Sequence, residues 1–437
     1  MKSLVRGVLA SLCLFGASAG SVPVFAQDEA RTPQSVAMDL FGFARSAMRA
    51  GDYESARRAL EATLALKPGH PAVLNGLLTI GVRDNDMELV FDTLDRMAEA
   101  GLYVDLSTGF DEVRLTDPER FDAVAAALRA HQRPAGSAEI FARVDLRDEL
   151  IESVAVDIET DRAFLSSVTG RQIWMLEPFD RASPILFADE ADGLGSVFGM
   201  RVDDRNRLLW VTTGVVDQTP LREGETAQTV GTALVAFDLV TGELYRRYTI
   251  EDAVQMADLV VRDGMVFVSD ARSPRIYVLD ELGGQLRVLA EDARMVNPQG
   301  LALARAALYV ADYSTGIWRV DLGDQSVSLV HARGHSLIGI DGLLNDRDGR
   351  VYAVRNGARP HQVMELVLDD IGRHIEETRV VLRGHASMTE GTEPTLIDLH
   401  DGRAWLLANA AWPLFPADGS DPERARPQTV VLEWTLD

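Results

Sequence analysis

FGMRVDDRNRLLWVTT (198–213), MADLVVRDGMVFVSDA (256–271) and PQGLALARAALYVADY (298–313) are three copies of one unit. Each begins with a short apolar run, turns through polar residues, and returns in a second run of β-type residues. IESVAVD (151–157) precedes the series, and IDGLLND (340–346) and EPTLIDL (393–399) follow it. The six second runs read RAFLSSV, RLLWVTT, MVFVSDA, ALYVADY, RVYAVRN and RAWLLAN. Several units add a third run, such as RQIWML, ALVAFDL, RIYVLD, GIWRVDL and QVMELVL. Aligned on the first runs, Val154, Met200, Leu259, Leu301, Leu343 and Leu396 share one position, with separations of 46, 59, 42, 42 and 53 residues.

That spacing suits a four-stranded blade, which buries both faces only when neighbours stack around a ring. Six units predict a six-bladed β-propeller over residues 139–437. The last strand, Thr429 to Leu436, is predicted to pair with Glu139 to Asp145, which closes the ring and hides the sheet edges. Two paired β-sandwiches would not repeat so regularly. Insertions at 215–231 and 413–427 enlarge blades two and six, and such long loops are either functional lids or tolerated surface.

Residues 36–131 carry a helical period instead. Phe41, Ala44, Ala47 and Met48 recur at helical spacing up to the break at Gly51-Asp52, and a second helix runs from Tyr53 to Leu66 before Pro68. The next turn, Asn85-Asp86, follows 34 residues later, the period of a tetratricopeptide repeat. Gly51-Asp52-Tyr53, Ala56, Ala59, Leu64, Leu66 and Pro68 resemble that family's pattern, with Met87, Val90 and Leu94 as a weaker second copy. Leu115 to His131 reads as one more helix. Such repeats imply a docking surface for a protein partner, or merely a cap on the propeller. Residues 132–138 (QRPAGSA) read as a linker.

The amino terminus has the form of a cleavable signal over residues 1–26. Lys2 and Arg6 precede the apolar stretch Val8 to Phe15, and Val24-Phe25-Ala26 is a small-x-small site. The stretch is too short to span a bilayer, so an exported, periplasmic or secreted protein is expected. Cys13, the only cysteine, would leave with the signal, so no disulfide or thiolate chemistry is expected. Removing Lys2 and Arg6 moves the formal charge from −24 to −26. So acidic a surface repels nucleic acid and anionic lipid, and the sequence predicts neither nucleic-acid binding nor membrane insertion.

A propeller's binding site lies at one mouth of its central channel, where the residues just before each innermost apolar position converge. Here these are Glu152, Phe198, Ala257, Gln299, Asp341 and Pro394. Glu152, Gln299 and Asp341 offer hard oxygens, which suit Ca²⁺ or another divalent cation with waters or substrate completing the shell. Phe198, Ala257, Asp258 and Pro394 are the candidate ligand-facing residues. Turn-adjacent Asp258, Asp270 and Asp312 have a plainer role in holding their own backbone. Trp174, Trp210, Trp318 and Trp405 read as inter-blade core. Asn345 to Gly349 imitates a calcium loop, but Leu344 and Arg355 stand where its terminal ligands belong, so it reads as a hairpin turn. His331 and His335 lie in a β/loop region where a four-residue spacing does not align two ligands.

The blades resemble the senescence-marker-protein/gluconolactonase family over about residues 139–437. In that family a Glu in blade one, an Asn in blade four and an Asp in blade five hold a divalent metal. IESVAVD places Glu152 at the first position and IDGLLND places Asp341 at the third, where the resemblance implies a general base as well. NPQGLAL resembles the Asn-Gly motif with Gln299 in place of Asn. Ala257 and Gln255 replace that family's substrate-contacting Asn and Arg. GMRVDDRNRLLWVTTG, LVAFDLVTGELYRRYTI and ADLVVRDGMVFVSDA also resemble the yellow/major-royal-jelly family, many members of which have no established catalysis.

The incomplete pocket favours an exported, non-catalytic binding protein, its propeller taking a small ligand or cation and its helices docking a partner. The alternative is a divalent-metal-dependent lactonase or esterase in which Asp341 is the catalytic residue.

Overall fold

The computed structural model describes residues 33–436 apart from 68, 333–335, 418–419 and 421–423. The expected signal over residues 1–26 with Cys13, together with Pro68 and His335, lies outside the described residues. The chain divides into a helical unit up to residue 132 and a β-sheet unit from residue 133.

In the helical unit, Pro33–Ala50, Tyr53–Leu66, Pro71–Asp84 and Met87–Glu99 form the first four helices. The turns 34 residues apart are built alike. Gly51 and Asn85 take left-handed backbone angles (φ 79° and 57°). Asp52 and Asp86 follow them and cap the next helix, accepting from the backbone N of Ser55 at 3.0 Å and of Leu89 at 3.1 Å. Ala56, Leu60 and Leu64 face inward from one helix, and Val90, Phe91 and Leu94 from the other. The helix expected from Leu115 to His131 is instead two, Asp111–Thr116 and Pro118–Ala130. Proline bars the residue before it from helical angles, and Asp117 takes φ −146° and caps the second helix by accepting from Arg120 N. Leu115, on the short first piece, is 80% exposed.

The second unit consists of six antiparallel sheets in the order the repeats predict, each running outward from its innermost strand. The innermost strands are Ile151–Asp157, Ser196–Asp203, Met256–Arg262, Pro298–Ala304, Ile340–Asn345 and Ile397–His400. Glu139–Val144 is the outermost strand of blade six and pairs with Thr429–Thr435. The two ends of the propeller sequence thus complete one sheet. Blade five carries an extra short strand, His331–Ala332, parallel to its outermost strand. Trp210, Trp318 and Trp405 are fully buried, whereas Trp174 is only partly covered and donates to Glu149 at 2.9 Å. Asp270 and Asp312 each hold backbone N–H groups of their own turn and of the segment that leads into the first strand of their blade. Asp346 to Gly349 is a hairpin turn. Among the described residues no helix is long and apolar enough to cross a membrane.

Two features of the inner strands position the site. In five blades the pairing register between first and second strand slips at the same place: Ile151/Ser153, Val197/Met200, Met256/Leu259, Pro298/Leu301 and Ile340/Leu343. Bulges re-aim side chains out of the ladder, and the re-aimed residues here include Glu152, Phe198, Ala257, Gln299 and Asp341. The residue after the bulge faces the neighbouring blade. A Cβ on Gly300 would fall on the backbone N of Leu343 and 2.5 Å from the carbonyl O of Asp341, and one on Gly342 would lie 2.6 Å from the carbonyl O of Thr395. The missing side chains let innermost strands approach backbone to backbone around the axis.

Candidate functional site

Glu152 and Asp341, 189 residues apart in sequence, occupy the same bulge position in blades one and five. Glu152 is 8% exposed. Trp412 Nε1 donates to its Oε2 at 2.5 Å, and Thr395 Oγ1 donates to its carbonyl O at 2.7 Å. Burial, and next the charge of Asp341, push the Glu152 carboxyl well above the usual range, against the Trp412 hydrogen bond. Asp341 is partly open to solvent. Its Oδ2 accepts from Asn356 Nδ2 at 2.7 Å, yet burial lifts it to about 6.

Two residues that the sequence reading passed over join them. Glu393 begins the approach to the blade-six strand, and its N–H donates to Ala410 O at 2.9 Å. Burial and then Asp341 raise its carboxyl to about 8. Tyr313 feels burial first and then the charges of Glu393, Asp341 and Glu152, so its hydroxyl stays protonated far above its ordinary value. Three carboxyls and a phenol therefore share one acidic, poorly solvated mouth.

The other predicted residues are distributed around it. Gln299 is partly open, and its Nε2 donates to Asn297 Oδ1 at 2.5 Å. Ala257 and Pro394 are buried. Phe198 belongs to an apolar cluster with Leu150, Val168, Ala411, Leu414 and Phe415, with Val216 and Trp412 packed against it. Gln218 of the blade-two insertion donates to Phe415 O at 3.3 Å. The two insertions thus meet over the blade-one and blade-two side, which is why Glu152 is covered while Gln299 and Asp341 are not. Asp258 does not serve as a ligand-facing group. It is 2% exposed, holds its own Leu259 N at 2.8 Å and faces Arg201 Nη2 at 3.4 Å, because the residue after the bulge points to the adjacent blade.

Sequence reasoning counted only one strand end per blade. An antiparallel hairpin brings the end of the second strand to the same rim, and Tyr313 and Asn356 each follow the residue that pairs with a first-strand start, Asp312 with Pro298 and Arg355 with Ile340. That offset was readable from the repeats. Trp412, immediately before the blade-six insertion, left no such signal.

Among the described residues no three Asp, Glu, His or Cys side chains converge tightly enough to hold a metal by themselves. A cation would rest on two carboxylates and amide oxygens. The donor chemistry fits a hard divalent ion, and the Oδ1 of Asn356 is a buried acceptor without a partner.

The raised carboxyls have a consequence for stability. The native state holds protons on Glu393 and Glu152 at pH values where the unfolded chain has released them, so stability falls as pH rises toward and through about 8. Below pH 6.5 the buried His70 and the half-buried His361, both pushed down to about 4, act in the opposite sense. His400, raised, adds to the fall above it. In chelator, the melting temperature is expected to drop by on the order of 5 °C between pH 6.5 and 8.5. Glu393→Gln should flatten much of that drop, and saturating calcium should oppose it; scanning calorimetry across that range checks both.

Comparison with known proteins adds the following. Residues 195–294 match the major royal jelly protein family. The match covers blades two and three. Among solved structures, a gluconolactonase of Xanthomonas campestris is 16% identical, covering 69% of this chain and 99% of its own, with a TM-score of 0.45. Regucalcin, a calcium-binding protein of Agrobacterium tumefaciens, is also 16% identical over 69% of this chain and 96% of its own, with a TM-score of 0.45. A virginiamycin B lyase of Staphylococcus aureus is 11% identical over 69% of this chain and 89% of its own, with a TM-score of 0.43. No curated protein matches.

Proposed function

We propose that the propeller mouth is a divalent-cation-dependent hydrolytic site for lactones or related small esters. The observation that carries this reading is the placement of Glu152 and Asp341 at equivalent bulges, where the charge of Asp341 raises the cost of ionising the buried Glu152 unless a cation sits with them. Glu152, Gln299 and Asp341 would hold the ion, with calcium first among candidates. A bound divalent cation polarises an ester carbonyl.

The chain's own groups supply the remaining work. Asn356 fixes Asp341 Oδ2, leaving Oδ1 to accept a proton from the attacking water. Glu393, neutral up to about pH 8, can return a proton to the leaving oxygen. Trp412, Leu414 and Phe415 keep bulk water from the Glu152 side. Absence of a substrate-contacting Asn at Ala257 argued for binding without catalysis; the acid, base and phenol at the rim supply polar groups from other positions. In the same reading, the amino-terminal signal sends this chemistry out of the cytoplasm, and the helical unit docks a protein partner.

Lactone hydrolysis by the mature protein, followed by pH-stat, is expected to vanish in chelator and return with calcium. Turnover that persists unchanged in chelator would defeat the proposal.

A further inference from the structure

Asn356 has one amide group and three demands on it. Its Nδ2 donates to Asp341 Oδ2 at 2.7 Å and to Pro394 O at 2.9 Å. Both partners are acceptors only, so the NH2 must face them and the orientation of the amide is fixed by chemistry. Its Oδ1 is thereby turned away from both, is buried, and meets no donor among the described residues. The residue as a whole is 4% exposed. A buried carbonyl oxygen without a partner is rare and asks for an explanation.

The placement narrows the explanation. Asp341 and Pro394 are the mouth positions of blades five and six, so the amide sits between two adjacent members of the ring. The neighbouring titratable groups are carboxyls and a phenol kept protonated, and the oxygen beside them is a hard donor. Gln299 also commits its amide nitrogen to the protein, its Nε2 donating to Asn297 Oδ1 at 2.5 Å. In Asn356 the amide nitrogen is spent on the protein and the oxygen is left over. Oxygen donors of that kind complete a calcium shell, which takes six to eight of them.

We propose that Asn356 is a cation-holding residue of the mouth, offering Oδ1 to the ion while its Nδ2 positions Asp341. The inference rests on the cation-dependent reading of the site and adds a residue to it.

Calorimetric calcium titration of the mature protein tests it, using Asn356→Ala and Asn356→Asp beside wild type, with melting curves in chelator. The Ala variant is expected to bind calcium at least about tenfold more weakly. The Asp variant, which keeps an oxygen but loses both donated hydrogen bonds, is expected to melt lower in chelator yet retain or exceed wild-type calcium affinity. A merely structural clamp would lower both melting temperatures and leave calcium affinity in the folded protein within twofold of wild type; that result overturns the assignment. Wild-type protein that takes up no calcium overturns it too, together with the cation-dependent reading. Wild type that binds calcium but hydrolyses no lactone defeats only the hydrolytic reading, and the assignment of Asn356 stands.

Discussion

Asp341→Asn is expected to lower kcat for lactone hydrolysis by about 10³-fold, within the range that general-base removal commonly costs. The substitution keeps the size of the side chain and exchanges a carboxylate oxygen for an amide. Asn356 Nδ2 now donates to Oδ2, and the new amide can still present its oxygen there, so blades five and six should remain joined. What is lost is the group able to take a proton from water and one of the two charges facing a cation. After its own burial, the charge of Asp341 is what pushes the Glu152 carboxyl upward. In chelator the variant should therefore melt no lower than wild type above pH 6.5, while calcium should stabilise it much less. Steady-state kinetics and paired melts with and without calcium decide the matter. Activity within tenfold of wild type would remove Asp341 from the reaction.

The second large effect concerns the ring itself. Gly300→Ala is expected to destabilise the propeller by about 3 kcal/mol or more. The added methyl would fall on the backbone N of Leu343 and within 2.7 Å of the Gly342 carbonyl carbon. None of those atoms is the end of a flexible side chain, so the only relief is to separate blades four and five along their innermost strands. That displacement also moves Asp341, one residue before Gly342. Gly283→Ala is the control, since a Cβ there meets nothing within 4 Å, and its effect should stay within about 0.5 kcal/mol. Urea unfolding of both variants measures the contrast. Equal midpoints would mean that the inner strands are not packed as described.

Some of the site is legible in the sequence. Glu152, Gln299 and Asp341 fall at one position of a repeat, and the repeat set them on equivalent bulges. Asp258 misled because it stands one residue after that position. In a strand successive side chains point to opposite sides, and the bulge sends the second of the pair to the next blade, where Arg201 meets it. Tyr313 and Asn356 were passed over because only the start of each first strand was counted as facing the mouth, and Glu393 because it stands one residue before the position counted in blade six. In the helical unit the 34-residue period located two turns built alike, but the period could not show that Asp117-Pro118 divides the last helix.

The sequence by itself determined the ring, because a blade with two apolar faces has no stable form outside a closed stack, and the number of such blades is a count of repeats. It also determined the closing strand, since one sheet lacked a member until the two ends of the series met. Only the tertiary structure decided how the mouth is dressed. Trp412 over Glu152, the amide of Asn356 between Asp341 and Pro394, and the proton held by Glu393 depend on which groups are brought together without water. Burial and neighbouring charge act across space rather than along the chain, and no local pattern of residues encodes them.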